Sequence, residues 1–180
     1  MMFKDSLFRG KLVRLAAALP EDQAIVARWS HNDEYLRLAD DDPARPAAPS
    51  TDAPMPPSHD SFGFSLRTLA DDVLIGQAGL FNIKWTNRTV MLGIVIGEPD
   101  YWGKGYGGDA VNLLVSYAFR ELNLYRVGLE VMSYNTRAVR CYEKAGFIHE
   151  GIRRGMILRV GQRHDSLLYS LLYEEWLARR

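Results

Sequence analysis

Four glycines occur within a stretch of six residues, at Gly103, Gly105, Gly107 and Gly108. Glycine has no Cβ atom, so successive backbone N–H groups in such a turn can converge on one anion. The residues that follow predict a helix, and the positive end of its dipole would add to the attraction. The pattern therefore favours a pyrophosphate-binding turn over a tight turn in which the glycines only relieve strain. The Walker pattern of nucleotide triphosphatases does not occur.

A dinucleotide-binding fingerprint is a competing interpretation of the same glycines. Gly103, Gly105 and Gly108 match the pattern G-x-G-x-x-G, and Glu130 follows 22 residues after the last of them. A doubly wound nucleotide domain needs several βαβ crossovers, whereas only 72 residues follow Gly108 and they contain one further helical pattern. A nicotinamide or flavin protein is therefore the less favoured alternative.

A second group of residues with chemical potential lies on a later helical pattern. Asn135 and Tyr142 are seven residues apart, so on a helix they face the same groove, roughly 10 Å apart along the axis. Ala138 and Ala145 flank Tyr142 on that face and leave room for a slender ligand such as a pantetheine arm. Alternatively, Asn135 is only a helix cap and Tyr142 only a core aromatic residue. Three cations on this helix suit either a nucleotide phosphate or a solvated face: Arg137, Arg140 and Lys144.

Hydrophobic periodicity and turn residues predict the elements that must position these groups. A strand is predicted at 11–15, a helix at 20–29 and an antiparallel meander of three strands at 62–69, 73–81 and 89–96. The remaining predicted elements are a helix at 107–122, a strand at 126–131, a helix capped by Asn135 and ended by Gly146, strands at 147–154 and 165–173, and a short tail. The strand, helix and strand around the glycine turn predict a βαβ unit with parallel pairing.

The chain length and one proline-rich segment bound the domain organisation. With 180 residues the chain is expected to form one domain, 1–180, whose core runs from about 10 to 176. Residues 40–60 contain six of the eight prolines together with many Ala, Ser and Asp residues. Regular structure should fail there, which predicts a mobile loop on the substrate side.

The composition excludes several classes of function. Acidic and basic residues both number 22, so no net field favours nucleic acid or an anionic membrane. No apolar run has the roughly 20 residues needed to span a bilayer, and the first residues lack the apolar core of a signal peptide, which predicts a cytoplasmic location. Cys141 is the only cysteine, and the four histidines lie far apart, so no disulfide and no metal site are expected.

Taken together, residues 92–97, the glycine turn and residues 135–147 resemble the GNAT superfamily of acyl-CoA-dependent N-acetyltransferases. Within it, the runs YWGKGYG, NLYRV and CYEKAGF resemble the RimJ/RimL-like branch of ribosomal-protein and polyamine N-acetyltransferases. The resemblance covers about residues 10–176 and is strongest over 76–154. It implies an α+β fold, with a mostly antiparallel twisted sheet of six to seven strands that splays at the acyl-CoA site and about four flanking helices.

The resemblance also implies roles for particular residues. Backbone groups of the strand before the turn would contact pantetheine, at Ile94, Val95 and Ile96. Amides of the turn would hold the pyrophosphate, at Gly103, Lys104, Gly105, Tyr106, Gly107 and Gly108. Asn135 would contact the cofactor and Tyr142 would lie beside its sulfur. One position departs from the superfamily pattern, as it often does in this branch: Trp102 replaces the usual Gln or Arg, so the resemblance does not carry over a side-chain phosphate contact there.

The implied activity is transfer of the acetyl group of acetyl-CoA to a primary amine, either a protein N-terminus, a polyamine or another small amine. Tyr142 is the candidate general acid for the departing thiolate. The general base is unassigned, because residues 90–93 contain no carboxylate, although Glu98 and Asp100 lie nearby. Acidic residues within 29–60 suggest a cationic acceptor or a solvated loop. A non-catalytic acyl-CoA sensor is the alternative, and a homodimer is possible in either case.

Overall fold

One seven-stranded sheet organises the computed structural model, which describes residues 6–40, 42–50 and 58–180. The strands are β1 (Val13–Ala16), β2 (Phe62–Thr68), β3 (Leu74–Lys84), β4 (Thr89–Ile96), β5 (Arg126–Met132), β6 (Ile148–Arg159) and β7 (Gln162–Leu172). The helices are α1 (Asp22–Trp29), α2 (Asp33–Ala39), α3 (Tyr106–Arg120), α4 (Thr136–Ala145) and α5 (Tyr173–Leu177). A 3₁₀ turn at Pro99–Tyr101 precedes the glycine turn.

The order of strands across the sheet is β1-β2-β3-β4-β5-β7-β6. All neighbours pair antiparallel except β4 and β5, which are joined by α3 and run parallel. This pair is in register only from Thr89 to Met91 on one side and from Arg126 to Gly128 on the other. The rest of β4 therefore diverges from β5. The predicted α+β fold, the parallel βαβ unit and the splayed sheet are confirmed.

The main hydrophobic core lies between the sheet and α3. The apolar residues of this helix recur at steps of three and four, so one stripe containing Ala110, Leu114 and Ala118 is buried. Tyr117 packs against the aromatic rings of Phe62 and Phe64. This helix forms where its pattern predicts it, and its first turn is fixed directly after the glycines.

A smaller core lies under α1 and α2, around Trp29 and Tyr35. The Trp29 indole covers Gly97, where an added Cβ would lie only 2.0 Å from Cδ2 of the indole. Only glycine fits at the end of β4 for this reason. The predicted set of helices did not include α2, which has seven residues and lies in the region interpreted as helix and loop, nor α5, which lies in the predicted tail.

Part of the predicted loop at 40–60 lies outside the described residues, namely 41 and 51–57. The described part contains no helix or strand, but it is tied to the domain at two points. The Ala47 amide donates to the Ser30 hydroxyl at 2.7 Å. Arg159 at the end of β6 donates to the carbonyls of Asp40 and Asp42. Whether the loop is mobile stays a prediction.

Candidate active site

A cavity of about 570 Å³ opens where β4 leaves β5, between β4, the glycine turn and α4. We refer to it as the splayed groove. Its lining contains most of the site residues predicted from sequence: Ile94, Val95, Ile96, Gly103, Gly105, Gly107, Gly108, Asn135 and Tyr142. Two predicted residues of the turn are not among the described lining residues. Lys104 is exposed, and the Tyr106 ring packs edge-on against Tyr101.

The four glycines serve the turn in two different ways. Gly103 and Gly105 have φ values of +73° and +93°, a left-handed conformation that side chains with a Cβ rarely adopt. Gly107 and Gly108 have ordinary helical conformations in the first turn of α3. A Cβ added to them would lie 4.0 Å from Ile96 Cγ1 and 3.8 Å from Cys141 Sγ, inside the groove. The first pair shapes the turn, and the second pair keeps the groove open.

Trp102, which replaces the usual Gln or Arg of the motif, joins two walls of the groove. Its indole Nε1 donates to the carbonyl of Ile96 at 2.7 Å. The guanidinium of Arg137, on α4, lies 4.1 Å from the centre of the Trp102 ring. The sequence marked this position as unusual, but it did not indicate that the indole connects the end of β4 to α4.

Tyr142 is buried on α4, with only 6% of its surface exposed, and its ring lies edge-on to Phe147. Its hydroxyl makes no hydrogen bond with any residue that the structure describes, although the side chain lines the groove. Burial raises the pKa of this phenol well above its ordinary value. The phenol therefore keeps its proton at neutral pH and is available as a hydrogen-bond donor.

Asn135 has the capping role that was one of its two interpretations. Its Oδ1 accepts from the amide of Ala138 at 3.1 Å, and Gly146 ends the helix with a φ of +102°. The side chain also lines the groove, where its Nδ2 donates to the carbonyl of Leu38 on α2 at 3.5 Å. Helix α2 thereby brings Tyr35 and Leu38 to the groove, two residues that sequence reasoning missed.

The electrostatics of the groove favour an anion. Arg137, Arg140 and Lys144 line it from α4, and the described lining contains no Asp or Glu. The positive end of the α3 dipole adds to this field. Cys141 also lines the groove, but burial raises the pKa of its thiol, which disfavours the thiolate form.

The nearby carboxylates have other partners or positions. Glu98 accepts hydrogen bonds from the guanidinium of Arg28 and, at 2.8 Å, from the indole Nε1 of Trp29. Asp100 is exposed in the 3₁₀ turn. Neither is among the described residues that line the groove. The described lining of the groove therefore contains two buried phenols, of Tyr142 and of Tyr35 on α2, and no carboxylate.

A second cavity, of about 760 Å³, lies against β2, β3 and β4. Ile94 and Val95, near the end of β4, line both cavities.

The chain matches the family model described as acetyltransferase (GNAT) domain over residues 13–148. This range includes β1, the glycine turn and all of α4. The chain belongs to the GNAT acetyltransferase family. The resemblance to GNAT proteins that the sequence motifs indicated is thus confirmed.

Named relatives and solved structures agree with the GNAT assignment. The probable N-acetyltransferase YjcK of Bacillus subtilis is 37% identical over 63% of this chain and 62% of its own length. The spermidine N(1)-acetyltransferase of Escherichia coli is 27% identical over 92% of this chain and 89% of its own length. A crystal structure of spermidine N-acetyltransferase from Vibrio cholerae in complex with CoA and spermine superposes with a TM-score of 0.76 at 23% identity, covering 92% of this chain and 98% of that one. That structure shares the GNAT fold with this chain.

No helix within residues 6–40, 42–50 and 58–180 is long and apolar enough to cross a bilayer. No cluster of three or more His, Cys, Asp or Glu side chains there could hold a metal ion.

Proposed function

We propose that this GNAT protein transfers the acetyl group of acetyl-CoA to a primary amine. The observation that carries this proposal is Tyr142: a buried phenol without a hydrogen-bond partner among the described residues, in a groove lined by cations. The hydroxyl oxygen is not among the fully buried polar atoms without a partner, so it is accessible from the groove, where a ligand can accept its proton in a hydrogen bond.

The residues of the groove suit coenzyme A. Gly103 and Gly105 bend the turn so that backbone N–H groups can face a diphosphate, and the dipole of α3 reinforces them. Gly107 and Gly108 leave the width that a pantetheine arm needs. The cations of α4 suit the remaining negative charge of the nucleotide. A nicotinamide or flavin dinucleotide remains the less favoured ligand, because this sheet is mostly antiparallel and is not doubly wound.

Acetyl-CoA supplies an activated thioester when it is bound. The C–N bond to the amine forms, the C–S bond breaks, and the sulfur needs a proton. Tyr142, which lines the groove, is the proposed donor of that proton or of a hydrogen bond. Backbone N–H groups of β4, which β5 leaves unpaired beyond Met91, are the proposed donors to the developing oxyanion. The described lining of the groove contains no carboxylate, and we propose that the amine loses its proton through a water-relayed base or in solvent.

The decisive substitution is Tyr142→Phe, which removes the hydroxyl and keeps the ring. Turnover should fall by about 10²-fold, the usual scale for loss of a general acid. The affinity for acetyl-CoA and the Tm should change little, because the hydroxyl makes no hydrogen bond with the residues that the structure describes. The measurement is release of free CoA thiol from acetyl-CoA in the presence of a panel of amines, with calorimetry for cofactor binding.

Two results would contradict the proposal. Wild-type turnover by Tyr142→Phe would remove the phenol from the chemistry. Tight binding of CoA without turnover on any amine would instead favour a non-catalytic acyl-CoA sensor. Tyr101→Phe is a matched control, because this tyrosine also lines the groove but is part of the 3₁₀ turn. Its turnover should stay close to that of the wild type.

A further inference from the structure

We propose that the phenol of Tyr35 binds the nitrogen of the acceptor amine, and that Tyr134 is a positioning residue that holds Tyr35 at the splayed groove. This inference rests on the proposed acetyltransferase function. The two buried phenols of the groove then act at opposite ends of the reaction: Tyr35 at the attacking nitrogen and Tyr142 at the departing sulfur.

The two phenols reach the groove from opposite faces of the sheet. Ile94 on β4 packs against the main core, which is covered by α3 and contains Tyr142. The next residue, Val95, points to the other face and packs against the smaller core around Trp29 and Tyr35. The end of β4 therefore has one phenol on each side, and both line the groove.

The features that suit coenzyme A lie on the Tyr142 side. The glycine turn leads into α3, and three cations line the groove from α4: Arg137, Arg140 and Lys144. On the other side, α2 contributes Tyr35 and Leu38 to the lining. Because the cofactor occupies the side of α3 and α4, an attacking amine has to approach the thioester from the side of α2.

Tyr35 is held by both its ring and its backbone. The centre of the ring lies 6.1 Å from that of the Trp29 indole, and only 8% of the residue is exposed. The Asn32 side chain accepts from the Tyr35 amide at 3.2 Å, which fixes the start of α2. A buried tyrosine packs its apolar ring, whereas its hydroxyl needs a hydrogen-bonding partner. The hydroxyl is therefore the part of Tyr35 that we assign to the amine in the groove.

A neutral phenol suits this role. Burial raises the pKa of Tyr35, and the charge of Asp40 raises it further, so the phenol keeps its proton at neutral pH and is not a general base. Its oxygen can accept a hydrogen bond from an amine N–H, which leaves the nitrogen lone pair free to attack. As the C–N bond forms and the C–S bond breaks, the nitrogen becomes positive and this hydrogen bond strengthens. The nitrogen then releases its surplus proton to water.

Side chains from across the groove hold the carboxyl end of α2. The Tyr134 hydroxyl, which follows β5, donates to the carbonyl of Arg37 at 2.7 Å. Arg159, at the end of β6, donates to the carbonyl of Asp40 at 2.8 Å. The last carbonyls of a helix have no partner within it, so these bonds stabilise α2 in this position. Arg37 follows Tyr35 by two residues, so the bond from Tyr134 fixes the turn that carries the phenol.

The first experiment is Tyr35→Phe, which removes the hydroxyl and keeps the ring against Trp29. The acceptors are spermidine, 2-phenylethylamine and a peptide with an N-terminal alanine. For each one that the wild type acetylates, kcat/KM should fall about tenfold or more, because all three share the amine nitrogen. KM for acetyl-CoA, and the ratio of kcat/KM between acceptors, should stay within about twofold. A displaced α2 would change these two quantities as well.

Tyr117→Phe is the matched control. Tyr117 is also 8% exposed, but it is not among the described residues that line either cavity, so its kinetic constants should equal those of the wild type. An unchanged kcat/KM for the acceptors in Tyr35→Phe would overturn the inference and leave the proposed function standing. No turnover by the wild type on any amine would overturn the proposed function, and the inference with it.

The second experiment tests the positioning role with a double-mutant cycle. Tyr134→Phe removes the bond to the Arg37 carbonyl and keeps the ring beside His164. It should lower kcat/KM for the amine about threefold in the wild type, and by less than about 1.5-fold in Tyr35→Phe, because Tyr134 acts through Tyr35. Tyr125→Phe, at an exposed tyrosine outside the described lining of both cavities, should have no effect in either background. Equal losses from Tyr134→Phe in the two backgrounds, or no loss in either, would overturn the positioning role.

Discussion

The contacts of Trp102 show what this side chain does at a position where it departs from the superfamily motif. Where GNAT sequences usually carry Gln or Arg, this chain has an indole that donates to the last carbonyl of β4 and lies under Arg137. The bond fixes the end of β4 just where the strand has lost its partner β5. The cation–π contact holds α4 against the same ring. The indole thus connects the end of β4 with α4, the two walls of the splayed groove.

Trp102→Phe should remove the hydrogen bond to the Ile96 carbonyl, while an aromatic ring still occupies the position. The loss of one hydrogen bond should cost about 1 kcal/mol and lower the Tm by about 2–4 °C. KM for acetyl-CoA should rise several-fold, because the end of β4 is no longer tied to the turn. Enzyme kinetics and thermal denaturation measure the two effects.

Trp85→Phe is the control for the loss of an indole N–H. The Trp85 indole donates to His59 at 3.0 Å and lines neither cavity. Its stability should decrease in a similar way, and its KM for acetyl-CoA should not change. If both variants raised this KM equally, Trp102 would have no special role in shaping the groove.

Two crossed polar ladders join the three strands on the far side of the groove. In one, Glu150 on β6 accepts from Arg126 on β5 and from Ser170 on β7. In the other, Glu130 on β5 accepts from Arg153 on β6 and from Ser166 on β7. The signs of the charges are reversed between the two ladders. Together they fix β5, β7 and β6 as one unit, against which α4 is held.

The Glu150 ladder should make stability depend on pH. Its hydrogen bonds with Arg126 first, and then with Ser170, lower the pKa of Glu150 to about 2. The unfolded chain binds this proton at a higher pH, so the stabilisation is present above the ordinary pKa of a glutamate and is lost as pH falls toward 2. Glu150→Gln should lower the Tm at pH 7, and the difference from the wild type should narrow between pH 5 and about 2.5.

Glu21→Gln is the matched control, because Glu21 is exposed and has no partner among the described residues. The Glu21→Gln substitution should leave the Tm unchanged at pH 7 and at about pH 2.5. A Glu150→Gln deficit that stayed constant over the same pH range would contradict the role given to the ionised carboxylate.

The elements that could be predicted are those whose signals are local. Helix α4 was predicted with both ends, because Asn135 and Gly146 are capping residues adjacent to a helical pattern. Helix α2 was missed, since seven residues are too few to establish a periodicity. The row formed by Gly63, Gly79 and Gly93 could not be predicted either. These glycines are 16 and 14 residues apart, and only the strand register brings them together.

The sheet consists of two parts that share a narrow junction. Strands β1 to β4 form one part, and β5, β7 and β6 form the other, with pairing between them confined to three residues of each strand. Asp109 in the first turn of α3 reinforces the first part, because its carboxylate accepts from the amides of Lys11, Leu12 and Val13. Helix α4 belongs to the second part by sequence. A ligand in the splayed groove contacts β4 on one side and α4 on the other, so it should bind the two parts together.

Gly107→Ala tests this coupling between ligand and fold. Saturating CoA, at about 100 times its Kd, should stabilise the wild type by about 2.7 kcal/mol and raise the Tm by about 5–10 °C. Alanine is a better helix former than glycine, so the variant without ligand should be more stable by about 0.5–1 kcal/mol. The added methyl lies 4.0 Å from Ile96 Cγ1 inside the groove, so the shift produced by CoA should shrink. Thermal scans with and without CoA measure both effects. A higher Tm without ligand together with a smaller CoA-induced shift would mean that Gly107 favours ligand binding at a cost in helix stability. If CoA raised the Tm of the variant as much as that of the wild type, the ligand would not contact the first turn of α3.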